Sequence, residues 1–148
     1  MEQKKDIIPI ACDHGGFEMK EFLVKYLKDI GYRIEDLGSY STESVDYPDF
    51  IHPLARAVND GVYNSGIIIC GSGNGAQMVA NKYPKVRAAL CWTVEIAKLA
   101  RQHNNANILA LPGRFVDLPT AAAMAEVFLS TPFDGGRHTQ RVEKITIH

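Results

Sequence analysis

No stretch of the chain approaches the roughly 18 consecutive apolar residues that a membrane-spanning helix needs. The start, Met1-Glu2-Gln3-Lys4-Lys5-Asp6, has no apolar secretion core behind it, so neither a signal peptide nor a membrane partner is expected. Charge of one sign is also missing. The formal net charge is −1, acids and bases are interspersed, and only the C-terminal end is locally basic. A nucleic-acid-binding face needs an electropositive patch, so nucleic acid is not an expected partner. Cysteine is scarce and odd in number: Cys12, Cys70 and Cys91. No pair has C-x-x-C spacing, which removes a zinc cluster and a redox dithiol. Reduced thiols in a cytoplasmic protein are the plain expectation. Repeats, low-complexity tracts and linkers are absent, so residues 1–148 are read as one domain.

What is present alternates. Ile7–Cys12 is a short apolar run, although Pro9 is awkward for a central strand. Met19, Phe22, Leu23, Tyr26, Leu27 and Ile30 recur at helical spacing, and Gly31 ends that helix. Tyr32–Leu37 alternates like an exposed strand. Gly38–Pro48 is a polar loop, and a helix follows over Asp49–Asn59. Ile67–Cys70 is a buried strand, Val86–Trp92 a fourth and Asn107–Leu111 a fifth. Thr93 caps a helix that breaks at Arg101–Asn105; Leu118–Ser130 is a strongly apolar helix, and Arg137–Lys144 a short polar one. Strands alternating with helices give an α/β fold with a five-stranded parallel sheet covered on both faces. The expected strand order is 2-1-3-4-5, with the polar second strand at an edge and a switch point between strands one and three.

The chain is organised around Ile67-Ile68-Ile69-Cys70-Gly71-Ser72-Gly73-Asn74-Gly75, a strand entering a turn with glycine at every second position. Such a turn aims backbone N–H groups at an anion, and these groups stabilise a thiolate on Cys70. The glycine spacing does not match the dinucleotide fingerprint, the phosphate-loop lysine is absent, and Ala76 stands where a Cys-x5-Arg phosphatase needs arginine. An anion hole for a phosphate or a developing oxyanion remains. Asp13-His14 ends the first strand and offers a carboxylate and an imidazole beside Cys70. His103 lies in the polar break, where it borders the same pocket or that of a neighbouring subunit. Arg137 and Arg141 are four apart, so a helix puts both on one face with His138 nearby, suited to a phosphate dianion. Arg114, after the fifth strand, is a further anion contact.

These segments resemble the type B ribose-5-phosphate isomerase family, which includes the subunits of galactose-6-phosphate isomerase. The resemblance is carried by Cys12-Asp13-His14-Gly15-Gly16-Phe17, Asp46-Tyr47-Pro48, Cys70–Gly75, Ala80-Asn81-Lys82, Arg101-Gln102-His103-Asn104 and Gly135–Val142. It implies a Rossmann-like three-layer α/β/α sandwich that forms a homodimer with active sites at the interface; pairing of dimers stays open. It implies a small-molecule sugar phosphate as substrate and no metal or organic cofactor. Cys70 matches the base that takes the C2 proton of an open-chain aldose 5-phosphate, and Ser72 a hydroxyl beside it. Gly71, Gly73, Asn74 and Gly75 match the loop whose amides cradle the enediolate. His103 matches the ring-opening residue with Asp13 assisting, and Asn104 a sugar contact. Arg137 and Arg141 match the phosphate clamp, with His14, His138 and Arg114 around it, and Tyr47 lines the site. Some members use a glutamate beside the loop; Asn74-Gly75-Ala76 offers no acid, which leaves the cysteine route. The alternatives are a hexose 6-phosphate substrate (allose or galactose) and a non-catalytic sugar-phosphate-binding module.

Overall fold

The computed structural model describes residues 4–147. Its centre is β3 (Gly66–Cys70), five residues that are all buried. β1 (Ile7–Cys12) pairs with it on one side and β5 (Ile108–Pro112) on the other, both parallel. β2 (Arg33–Asp36) forms one edge beside β1, as its more polar pattern suggested. The other edge is β4 (Ala88–Leu90), which pairs only with β5 among the described strands. The order is therefore β2-β1-β3-β5-β4, and the expected 2-1-3-4-5 is corrected by an exchange of the last two strands. Burial explains the exchange. Ile108-Leu109-Ala110-Leu111-Pro112 is covered along its whole length, whereas β4 has shrunk to three residues, two of them half-buried. The continuously apolar strand takes the interior position. Pro9 is tolerated in β1 because pairing with β3 begins only at Ile10.

Successive side chains of a strand face opposite ways, and β3 divides its residues accordingly. Ile67 and Ile69 join a core with Met19, Leu23 and Leu27 of α1 (Phe17–Asp29), Ala97 and Ala100 of α4 (Val94–Asn104), and Ala121, Met124, Ala125 and Phe128 of α5 (Leu118–Ser130). Ile68 and Cys70 join the opposite core with Ile51, Leu54, Ala55 and Val58 of α2 (Tyr47–Asn59) and Ala76 and Ala80 of α3 (Asn74–Ala80). Three layers result, and Cys70 belongs to the α2–α3 side.

Some boundaries moved. α2 begins at Tyr47 rather than Asp49, because Pro48 in a first helical turn costs no hydrogen bond. α4 continues through the expected break at Arg101–Asn105 and ends at Asn104. Solvated polar side chains do not stop a helix; Asn105 does so by taking a left-handed conformation, φ 48°. Thr93 caps this helix as expected, its Oγ1 accepting from the Ile96 N–H at 3.2 Å. α6 (Arg137–Glu143) follows Gly135 and Gly136, both at positive φ, so the C-terminal basic segment starts from a defined bend.

A close approach ties the first turn to the central strand. A β-carbon on Gly16 would lie 2.6 Å from Ile69 Cγ2 and 2.8 Å from the Ile69 carbonyl oxygen. Backbone on backbone cannot yield, so Gly16→Ala is expected to cost about 2 kcal/mol and lower Tm by roughly 4–8 °C. Thermal unfolding checks this; an unchanged Tm contradicts the fixed approach.

Candidate active site

In a parallel sheet every loop that follows a strand emerges at the carboxyl edge. Three such loops meet here. The first is a short 3-10 turn, His14–Gly16, capped by Asp13: its Oδ1 accepts from the Gly15 N–H at 2.9 Å and from the Gly16 N–H at 3.2 Å. Asp13 is buried, so this cap is its fixed structural role. His14 Nδ1 accepts from the Val45 N–H at 3.1 Å. That contact leaves Nε2 as the imidazole's N–H donor. The second loop is Gly71-Ser72-Gly73 leading into α3. Gly73 has φ 79°, and a β-carbon there would meet Leu90 Cδ1 at 2.4 Å, so glycine is required. Ser72 Oγ accepts from the Asn74 N–H at 3.3 Å. The loop's free donors are thereby narrowed to its other amides.

The strand exchange brings in the third loop. With β5 beside β3, the Gly113 N–H donates to the Cys70 carbonyl at 2.9 Å and the Arg114 N–H to the Gly71 carbonyl at 3.0 Å. The Arg114 guanidinium lies over both neighbouring turns: a β-carbon on Gly71 or Gly15 would come within 3.2 or 3.3 Å of it. Tyr47 closes the other side, its ring 2.6 Å from where a Gly75 β-carbon would stand. Asp13, His14, Tyr47, Cys70, Ser72, Gly71–Gly75 and Arg114 therefore surround one place. Cys70 sits at the end of β3 and is 5% exposed. Burial pushes Cys12 up to about 11 and Cys91 up to about 12, so both stay protonated and pack in the core.

The remaining expected residues are elsewhere. His103 and Asn104 end α4, on the approach to β5, and so belong to the amino edge of the sheet. β5 alone separates the two edges by about 15 Å at strand rise. The His103 ring stacks on that of His138 in α6, centroids 4.3 Å apart and planes at 12°. Arg137 and Arg141 flank His138 and are exposed. Arg101 secures this corner, its Nη1 donating to the Ala106 carbonyl at 2.6 Å and its Nε to the Thr131 carbonyl at 3.0 Å. The expected residues of one chain thus fall into two groups, on opposite edges of the sheet.

Three contributors escaped the sequence reading. The Val45 amide orients His14, a backbone effect that residue identity does not signal. Buried Lys20 reaches Asp36 Oδ2 at 2.6 Å, while Asp36 Oδ1 accepts from the Gly38 N–H at 2.9 Å, tying down the start of the loop that carries Val45. Asp134 lies beside both His103 and His138; its signal was the spacing of four to His138. His138 is held below the ordinary histidine value of 6.5, first by desolvation, then by the charges of His103, Arg137 and Arg141, against an upward pull from Asp134. His138 is therefore expected to remain neutral until the pH falls below that value. Asp134→Asn is expected to push its midpoint lower still, read by NMR titration; a midpoint at or above the ordinary value contradicts the charge balance.

The family model described as Ribose/Galactose Isomerase matches residues 8–145. Ribose-5-phosphate isomerase B of Escherichia coli is 42% identical over 139 residues, covering 94% of this chain and 93% of its own. The crystal structure of a ribose 5-phosphate isomerase from Thermotoga maritima superposes with a TM-score of 0.93 at 48% identity, over 97% of this chain and 99% of that one. That of ribose-5-phosphate isomerase B from Mycoplasma genitalium, with bound ribulose-5-phosphate, gives 0.89 at 42% identity, over 94% and 93%. With the family model covering nearly the whole chain and relatives above 40% identity along it, this protein belongs to the ribose/galactose isomerase family.

Proposed function

We propose that this chain is an aldose–ketose isomerase that interconverts ribose 5-phosphate and ribulose 5-phosphate. The observation that carries the reading is the convergence of Cys70, the Asp13-His14 turn, Tyr47 and Arg114 on a single glycine loop. The sugar enters as a ring and opens with His103 moving the proton. The Cys70 thiolate then takes the proton from C2 of the open aldose. The electron pair left on C2 forms the C1–C2 double bond of a cis-enediolate, and the aldehyde oxygen becomes the second enediolate oxygen. The thiol returns its proton to C1, the O2 proton passes to O1, and the carbonyl now lies at C2. Ser72 supplies a hydroxyl beside these oxygens. Each loop amide that meets the enediolate contributes about 3 kcal/mol of transition-state stabilisation. The phosphate is held far from the reacting carbon, by His14 Nε2–H and Arg114 from one side and Arg137 and Arg141 from the other. That remote binding energy fixes C2 against the thiolate.

The residues act as one isomerase domain within a homodimer whose sites are shared between subunits. Two observations support this. The half-sites of one chain lie on opposite edges of its sheet, too far apart for one sugar phosphate. Beside the Cys70 half-site, Trp92, Val94, Ile96 and Phe115 expose apolar surface, with the Trp92 and Phe115 rings 5.6 Å apart, as a partner-covered face requires. The free thiols fit a reducing cytoplasm, and the reaction is a step of the non-oxidative pentose phosphate pathway.

A coupled assay with ribose 5-phosphate, allose 6-phosphate and galactose 6-phosphate tests the substrate, with ribose 5-phosphate expected to give the highest kcat/KM. Cys70→Ala is expected to lower kcat by roughly 10³-fold while sugar-phosphate binding persists, the size expected for losing a general base. Near-normal turnover in that variant rejects the base. Mixing inactive Cys70→Ala with inactive His103→Asn and allowing subunits to exchange is expected to restore about a quarter of wild-type activity, because only half the dimers are mixed and each mixed dimer regains one intact site. No recovery after proven exchange rejects the shared site.

A further inference from the structure

The corner where α4 meets α6 holds more than a ring-opening histidine and a phosphate clamp. One imidazole nitrogen of His103, one of His138 and a carboxylate oxygen of Asp134 all lie within 4.8 Å of one another. Two imidazoles and one carboxylate are a donor set that binds zinc and its neighbours in the first transition row. The backbone beneath them is fixed. The Asp134 N–H donates to the Gln102 carbonyl at 3.0 Å, and the His138 N–H to the Gly135 carbonyl at 3.0 Å. All three side chains reach solvent, Asp134 most fully.

We infer that His103, Asp134 and His138 form a binding site for a divalent transition cation of the Zn²⁺ class, and that its occupancy reversibly inhibits isomerisation. The inhibitory half rests on the assignment of His103 to ring opening; the binding half does not. Bonds of about 2.0–2.1 Å in a tetrahedral site bring ligand atoms to roughly 3.4 Å of one another. The three groups must close by at most about 1.5 Å, a movement that side-chain rotation supplies. Two parallel stacked rings cannot aim their lone pairs at one point, so the cation turns one of them out of the stack. It also takes the His103 lone pair that would receive the sugar's proton. Arg137 and Arg141 repel a cation here, and the Asp134 carboxylate offsets part of that charge. Metal is thus an inhibitor and not a cofactor in this arrangement. Mg²⁺ and Ca²⁺, which prefer all-oxygen ligands, are excluded by the two nitrogens.

The test uses tag-free protein stripped of metal. Calorimetric titration with ZnCl₂ is expected to show one ion per chain, and titration with MgCl₂ none. Asp134→Asn, at an exposed position, is expected to keep the circular dichroism of the parent and weaken Zn²⁺ binding at least about tenfold. Cys70→Ala is expected to bind Zn²⁺ as the parent does, which separates the site from the thiol. In the isomerase assay Zn²⁺ is expected to inhibit, substrate to protect and a chelator to restore activity, with Asp134→Asn requiring correspondingly more Zn²⁺. Absence of binding, unchanged affinity in Asp134→Asn, or loss of binding in Cys70→Ala overturns the site. Zn²⁺ bound at the triad with full turnover leaves the site standing and overturns both the inhibition and the role of His103. A chain that binds Zn²⁺ at the triad but isomerises none of the sugar phosphates overturns the function and not the site.

Discussion

The polarity of the parallel sheet is the constraint on which the rest depends. Because all five strands point the same way, the loops after β1, β3 and β5 gather at one edge, and the turn from α4 into β5 lies at the other. Cys70 and His103 are separated by this rule before any side chain is considered. The proposed mechanism, which uses both groups, therefore draws on two chains. The exposed aromatic pair at the carboxyl edge and the exposed arginines of α6 are surfaces left by the same separation.

Within the carboxyl edge, position is set by close backbone contact. Glycine at 15, 16, 71 and 73 lets the three loops nest until Arg114 overlies the turn that holds Cys70. The hydrogen bonds Gly113 to Cys70 and Arg114 to Gly71 exist only because β5, not β4, lies beside β3. The edge strand β4 then leaves Cys91 packed in the core and Trp92 exposed near the rim. A one-place change in strand order thus brings Arg114, an expected anion contact, over the turn that holds Cys70.

Charge follows the same division. His14 and Arg114 lie at one edge, Arg137 and Arg141 at the other. The Lys20–Asp36 pair supports the first group from behind, fixing the chain that carries the Val45 amide to His14. The His103–His138 stack, with Asp134 beside it, concentrates three ionisable groups in the second. That concentration is what makes the corner attractive to a transition metal.

Much was determined by sequence alone. Alternating apolar strands and amphipathic helices specified the α/β class, and β1 and α5 appear with the expected ends, because period and capping are local properties. The glycine loop after Cys70, the Asp13-His14 turn and the paired arginines were visible as motifs for the same reason. Strand order was not local: it depended on which apolar strand could be covered on both sides, and only the packed sheet resolves that between β4 and β5. The continuation of α4 to Asn104 turned on the left-handed Asn105. The orientation of His14 hangs on an amide 31 residues away. The division of the candidate residues between two edges comes from the direction of the strands. Sequence named the candidate residues; tertiary structure decided which of them one chain can bring together, because proximity is set by packing and not by order along the chain.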